Sequence, residues 1–518
     1  MTLDKQHVKP VRVYYRESDS SPMVEVNSTS PLPVTSGGQS SSAFGEQIVA
    51  EPTPVVQIAN QYQIDPANRD DLETFEATGG SADNSGNLFR CQSGTSVGGY
   101  GVVRSKDAII YRAGEGVRGL FTAAFTTGIA SSLQFGGLFN LTETVAFGYD
   151  GANFSALYSH NGAAEVQTLQ VTTAATTSES PVITVDGDTF TANLTNTTVQ
   201  GNAFEIARDA AADATIAGKW RVEQVDDTVY FVAKAAEVRA GLSSFPFGGT
   251  AAATFATPQN GTAKTDAHTA QADWNVTTTP FDDFDPTKIN IYKIEYGYLG
   301  VANINYSIYN PNIGKFVLVH RGQFASVNTT THLGSPDLKV GWTSASLGSS
   351  GTNLTVTGGS GQIAVEGQRT LSGSSFAADN TVSSVGTTLT NILTVKNRIV
   401  YGVRFNLGKI IPISASLDND HNKGAIVELR INATLGGTPN YQFKDEYNSL
   451  GLVDKAATTV TGGTLVDAFT VPASGDATVD LSKLNDILNP EDTLTLAAKT
   501  ISGTSTAMTG AVVWKEEK

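Results

Sequence analysis

A single convincing helix, Asn202 to Asp213, interrupts a chain that otherwise reads as short β-strands, and this lone interruption restricts the architecture more than any motif. Ala203, Ile206, Ala207 and Ala210 recur at i, i+3, i+4 and i+7, Glu205, Arg208, Asp209 and Asp213 face elsewhere, and Thr198 or Asn202 can cap the first turn. One apolar stripe needs one partner surface. Strand candidates flank it on both sides: Val182 to Leu194, turning at Asp186-Gly187-Asp188, and Trp220 to Val232, broken at Asp226-Asp227. They define a small α/β module, residues 165–274, inserted between two halves of a β-sandwich. Metabolic enzymes more usually carry helices that recur along the chain.

The 518 residues predict several domains, and with only 16% charged residues and 51 glycines the surface must be covered by neutral polar groups, which suit strands and turns. A net charge of −16 without a basic block disfavours nucleic acid and anionic membranes. There is no apolar run long enough to span a bilayer, and Met1 to Val11 is polar, so neither membrane insertion nor a signal-peptide route is expected. The one cysteine, Cys91, allows no internal disulfide and no cysteine-based metal cluster, and reads as an ordinary strand residue.

Residues 1–75 read as an extended anchoring arm. The prolines of Glu51-Pro52-Thr53-Pro54 enforce extension, and Phe44, Ile48, Val49, Val55, Val56 and Ile58 supply apolar contacts for docking on another subunit. Strand candidates Val102-Val103, Ala108 to Tyr111, Leu133 to Phe139, Thr144 to Phe147 and Phe154 to Tyr158 fill residues 76–164. Lys288 to Tyr296, Val301 to Tyr309 and Lys315 to Val319 fill residues 275–345, with Ile304, Tyr306 and Ile308 on one face. Residues 346–395 are Ser/Gly/Thr-rich and read as a connecting region, part strand and part linker, and 396–518 as a C-terminal β-sandwich with a short helical turn through Leu481, Leu484, Ile487 and Leu488.

Chemistry is sparse. Gly114-Glu115-Gly116-Val117-Arg118-Gly119 has the spacing of a dinucleotide motif, but Leu120 to Ala130 is a poor helix, so it reads as a turn. Gly94-Thr95-Ser96-Val97-Gly98 has the letters of a nucleophile elbow, yet Gly99-Tyr100-Gly101 stands where a helix should begin. Asp282-Asp283-Phe284-Asp285 offers carboxylates for calcium or glycoside hydrolysis but lacks the alternation of a calcium loop. Asp418-Asn419-Asp420-His421-Asn422-Lys423-Gly424 alternates better, with its glycine one place late. The six histidines show no i, i+4 pair. No catalytic residue, metal or cofactor is assigned. Tyr292, Tyr296, Tyr298, Tyr306 and Tyr309, in an Asn-rich strand region, are candidates for stacking on sugar rings, a pattern that sandwich packing also produces.

The stretch Gln57 to Phe125, with Asn60-Gln61-Tyr62-Gln63-Ile64-Asp65-Pro66 and Gly98-Gly99-Tyr100-Gly101-Val102-Val103-Arg104-Ser105, resembles virion structural proteins of tailed phages and large aquatic viruses. The resemblance continues through Phe147-Gly148-Tyr149-Asp150-Gly151 and Tyr298-Leu299-Gly300-Val301, and Tyr149 to Phe154 is also similar to concanavalin-like jelly rolls. The fold expected is mainly β: two jelly-roll-like β-sandwich domains, the first carrying the inserted module, behind an extended N-terminal arm. What the resemblance implies is a non-enzymatic tail, fibre or capsid-surface protein, located in the virion after assembly in host cytoplasm. Its partners would be other virion proteins and copies of itself, with a trimer expected for a fibre. The alternatives are an adhesin gripping a host surface glycan and, third, a polysaccharide-degrading tailspike.

Overall fold

The computed structural model describes residues 14–15, 24–25, 52–246, 248–348, 351–366, 373–420, 422–482, 487–503 and 506–518. Phe44, Ile48, Val49, Leu484 and His421 lie outside the described residues.

The lone helix forms where its pattern requires, one turn earlier than expected. α1 spans Val199–Ala212, and Thr198 caps it, its Oγ1 accepting from Gly201 N at 3.0 Å. Asn202 does not cap: it is buried, with Oδ1 accepting from Ala175 N at 2.8 Å and Nδ2 donating to Asn196 O at 2.8 Å. Asp213 ends α1 and caps α2, Ala214–Lys219. Thr198→Ala is expected to lower the melting free energy by about 1 kcal/mol, the usual cost of an N-cap, measurable by urea titration.

Ala203, Ile206 and Ala210 of α1 pack on Trp220 and Phe231 of a four-stranded sheet ordered Trp220–Val225, Thr228–Ala233, Val166–Thr173, Ala252–Gln259. Positive φ at Asp186, Gly187 and Asp226 makes the tight turns the sequence signalled. The short strands Thr265–Asp266 and Thr269–Ala270 already pair with Asn153–His160 of the first sandwich, so the chain leaves the module before residue 274.

The first sandwich packs an eight-stranded sheet on a nine-stranded one. The first runs Leu72–Ala77, Tyr100–Ser105, Lys339–Ser346, Ser132–Phe139, Thr144–Asp150, Asn153–His160, edged by the two short strands just named. The second runs Ser81–Ser85, Leu88–Gln92, Thr355–Gly358, Val117–Phe125, Asn290–Tyr296, Ile304–Asn310, Lys315–Gly322, with Ser360–Val365 also on Val117–Phe125 and Thr53–Ala59 outside it. Phe89, Phe121, Phe147, Tyr292, Tyr306 and Trp342 fill the space between. Trp342 donates from Nε1 to Thr122 O at 2.9 Å, and Gly358 leaves room for its ring: a Cβ there would sit 2.1 Å from Cε2.

Three expectations are corrected here. Val55, Val56 and Ile58 do not dock on another subunit: Val56 and Ile58 are buried, and Val55 half-buried, in the first sandwich of the same chain. An extended proline-bearing segment is satisfied equally well at a sheet edge, where one side needs no donor. Residues 346–395, read as part strand and part linker, carry strands as read and do more than link: Thr355–Gly358 and Ser360–Val365 belong to the first sandwich, and Ser374–Val385 and Thr390–Asn397 to the second. Ala108 to Tyr111 forms no strand although Ala108, Ile109 and Ile110 are buried, while Val117–Phe125, whose first residues read as a turn and the rest as a poor helix, is a central strand with strictly alternating burial. Gly119 is small because a Cβ would approach Leu138 Cδ2 to 2.7 Å.

The second sandwich joins a four-stranded sheet (Ser374–Val385, Thr506–Glu517, Lys409–Asn419, Gly475–Asp480) to a six-stranded one (Tyr441–Phe443, Gly451–Asp454, Thr390–Asn397, Thr493–Thr500, Ala425–Ile431, Thr464–Val471) over Leu393, Leu417, Leu496 and Trp514. The protein is therefore mainly β, two jelly-roll-like sandwiches with an inserted α/β module.

Candidate functional site: an outer groove and the seam between the domains

The tyrosines face the wrong way for sugars. Tyr292, Tyr296 and Tyr306 are buried; Tyr292 lies 5.5 Å from Phe121 and 5.0 Å from Phe147, and the other two donate to Pro336 O at 2.8 Å and Leu157 O at 3.0 Å. Burial pushes all three phenols above their ordinary range. Tyr298 is half-buried, donating to Leu333 O at 2.5 Å, and Tyr309 is half-buried against Phe316 at 5.5 Å. Alternation turns Ile304, Tyr306 and Ile308 inward, and Tyr292, Tyr296 and Tyr306 build the core, while Tyr309 stands on the opposite face of its strand.

The acidic candidates are spent locally. Asp285 Oδ1 accepts from Thr287 N at 2.8 Å and Oγ1 at 2.7 Å, which holds its carboxyl below the usual range, while Phe281 and Phe284 anchor the loop to the core. Asp418 belongs to the strand Lys409–Asn419, and Asn419 Nδ2 closes the following turn by donating to Lys423 O at 2.8 Å. Among the described residues no three His, Cys, Asp or Glu side chains gather as a metal site. Cys91 is buried with its Sγ 3.3 Å from Trp342 O, and desolvation pushes its thiol up.

An open groove of about 700 Å³ crosses the outer face of the nine-stranded sheet. Its floor is a cross-strand row in which Gln362 stands opposite Gln57 on one side and Leu120 on the other, with Ser360 opposite Ala59 and Ile291 opposite Thr122. Its rim is the turn after Thr53–Ala59, which carries Gln61, Tyr62 and Ile64; Tyr62 is 79% exposed. Gln63 takes φ 54°, and Asn84 Nδ2 donates to Gln63 O at 2.6 Å, fixing that turn. Arg69 clamps its base, donating Nη1 to Ala59 O at 2.6 Å and Nε to Asp71 Oδ1 at 2.8 Å. The described lining holds amides, a phenol and a guanidinium but no carboxylate, imidazole or thiol, so it is equipped to bind and has no acid–base pair. The sequence reading passed over Tyr62 as a binding residue; the available signal was a lone aromatic in a polar run between a strand and Pro66.

The opposite side of this sandwich is covered. Lys339 Nζ and Arg104 Nε each lie 2.8 Å from Glu73, on the eight-stranded sheet. Along the seam with the other units, Lys106 meets Asp492 at 2.9 Å and Arg112 meets Glu517 at 2.7 Å. Between module and second sandwich, buried Glu223 is 2.8 Å from Lys396 Nζ and accepts from Ile399 N at 2.9 Å, and Ile399 and Val400 enter the module's own core.

No family model and no curated protein matches the chain. Among solved structures, it is similar to the lectin from Bauhinia forficata in complex with GalNAc, with 11% identity over 60% of this chain and 97% of the lectin and a TM-score of 0.23. Lectin II from Ulex europaeus gives 8% identity over 61% of this chain and 100% of the lectin, at a TM-score of 0.22. A triple jelly-roll turret protein of an archaeal virus gives 10% identity over 74% of this chain and 90% of that one, at 0.16. Values this low match no residue of this chain to a residue of theirs.

Proposed function

We propose that the chain is a non-enzymatic structural component of a virus particle, a tail, fibre or capsid-surface protein that assembles as a homo-oligomer. The observation that supports this reading is the seam, where ion pairs between partly buried side chains join three β-rich units to one another. Resemblance of Gln57 to Phe125 to virion proteins supplies the particle. The test is mass spectrometry of purified particles with electron microscopy of the labelled protein; absence from the particle overturns the reading. Deleting residues 1–51 tests the anchor and leaves Thr53–Ala59 in its sheet: the truncated chain should fold and fail to enter particles. Native mass spectrometry of the full chain tests the trimer.

A second reading, a glycan-binding adhesin, is favoured by the groove, where an exposed phenol stands beside paired glutamine amides. Tyr62→Ala is expected to weaken glycan-array binding about tenfold, the loss of one aromatic stacking contact, without moving the melting temperature, and Tyr62→Phe should retain most of it. Absence of binding by the folded protein removes this reading and leaves the structural one.

A further inference from the structure

Where the first sandwich, the module and the second sandwich meet, they enclose another cavity, about 340 Å³, separate from the groove. Asn140–Glu143 and Gly334–Asp337 form one wall, Asn161–Ala164, the link from Asn153–His160 to Val166–Thr173, a second, and Arg404, Phe405 and Leu407 a third. The first wall is rigid. Asn140 Oδ1 accepts from Thr142 N and Glu143 N, each at 2.8 Å, and its Nδ2 donates to Asp337 O at 3.0 Å.

That wall holds up a carboxylate. Glu143 is fully buried; its Oε1 accepts from Gly334 N at 2.8 Å, and its Oε2, also buried, makes no hydrogen bond of normal geometry. A Cβ at position 334 would sit 3.0 Å from Oε1, so the glycine permits the close approach. Burial pushes the Glu143 carboxyl up to about 7, against the pull of the Gly334 and Ser335 N–H groups and of Lys264 and Arg404. A buried acceptor left unbonded is costly, and an incoming donor removes that penalty. Across the cavity, Arg404 is exposed and spends Nη1 on Gly334 O at 3.2 Å, and Phe405 and Leu141 give apolar faces.

We propose that this cavity binds one pyranose ring, a compact uncharged polyhydroxylated ligand whose hydroxyls donate to Glu143 Oε2 and accept from Arg404 while a C–H face lies on Phe405. Size points to a single ring, since the cavity is at the lower end of the roughly 300–1,000 Å³ typical of ligand pockets. Charge weighs against a metal or ammonium ion, since Lys264 and Arg404 stand beside the carboxyl. A hydroxyl is both donor and acceptor, and it satisfies both kinds of wall. The site is independent of the Tyr62 groove and stands or falls separately from it.

The test uses the full chain. Free hexoses and N-acetylhexosamines are titrated at concentrations up to about 10 mM by ligand-observed NMR, alongside the same sugars as terminal residues of immobilised glycans. Binding is expected, with hydrogen-exchange protection on ligand addition confined to 140–143, 334–337 and 404–407 in the wild-type protein. Glu143→Gln and Phe405→Ala are each expected to weaken it about tenfold. Equal binding of free and terminal sugar identifies a glycan end, and binding of free sugar alone identifies a soluble one. No binding by any sugar, protection elsewhere, or binding unchanged in both variants overturns the proposal; should a variant fail to fold, the wild-type protection pattern decides.

Discussion

Glu73→Gln is expected to lower the unfolding free energy by about 3 kcal/mol, because breaking a buried ion pair by removing one partner strands the other. Lys339 and Arg104 both lie 2.8 Å from the Glu73 carboxylate and both are buried on the face of the eight-stranded sheet that the other units cover. Desolvation raises the acid's pKa, but the two cations and their hydrogen bonds override it and hold Glu73 down at about 2. The sign of the pH dependence follows. A carboxyl with a folded pKa near 2 and an unfolded one near 4.5 contributes its full stabilisation above about 5 and loses it as pH falls toward 2. The wild-type protein should lose roughly 3 kcal/mol across that window, and the variant should lose much less, in urea titrations repeated at several pH values. Replacing the triad together, Glu73→Leu with Lys339→Met and Arg104→Met, should recover most of the loss, since no charge is then left buried alone. A single variant as stable as wild type at pH 7 would show that the triad contributes nothing.

Glu223→Ala is expected to cost about 3–5 kcal/mol, and to cost it at the seam. The side chain is buried and answers two groups of the second sandwich at once, Lys396 Nζ and the Ile399 N–H, just where Ile399 and Val400 enter the core beside α1. Removing it leaves a cation and a backbone donor unpaired between two cores that would each remain packed. The consequence is loss of cooperativity as well as stability: scanning calorimetry should resolve the module from the second sandwich as separate transitions. An unchanged single transition would mean that Glu223 does not couple the two units and that their remaining contacts suffice, among them Gln224 Nε2 on Asn440 Oδ1 at 3.0 Å and Asp226 N on Tyr441 O at 2.7 Å.

Much of the local structure was legible. The stripe Ala203, Ile206, Ala210 identified α1, and Asp186-Gly187 and Asp226-Asp227 identified two turns, because helical period and positive φ are set by neighbours in the chain. The strand Val117–Phe125 was hidden by Gly119, whose reason for being small is Leu138, on the facing sheet. The Ser/Gly/Thr-rich residues 346–395 looked in part like linker because composition was weighed above period: Leu354, Val356, Ile363 and Val365 are all buried, and the polar residues between them mostly face out.

For the candidate sites the balance reverses. Alternation established that Ile304, Tyr306 and Ile308 share a face, and the apolar partners of that face then decided that it turns inward. Nothing near Glu143 in the chain distinguishes it from any acidic turn residue; its character comes from Gly334, 191 positions away. What the sequence alone determined is therefore the class of the protein, its one helix and its turns, since these depend on backbone preferences and on spacings of a few residues. Only the tertiary structure decided which strands are neighbours, which tyrosines are core, and where a carboxylate is left unbonded in a cavity. Burial and desolvation are properties of the surroundings, and here the surroundings arrive from three different parts of the chain.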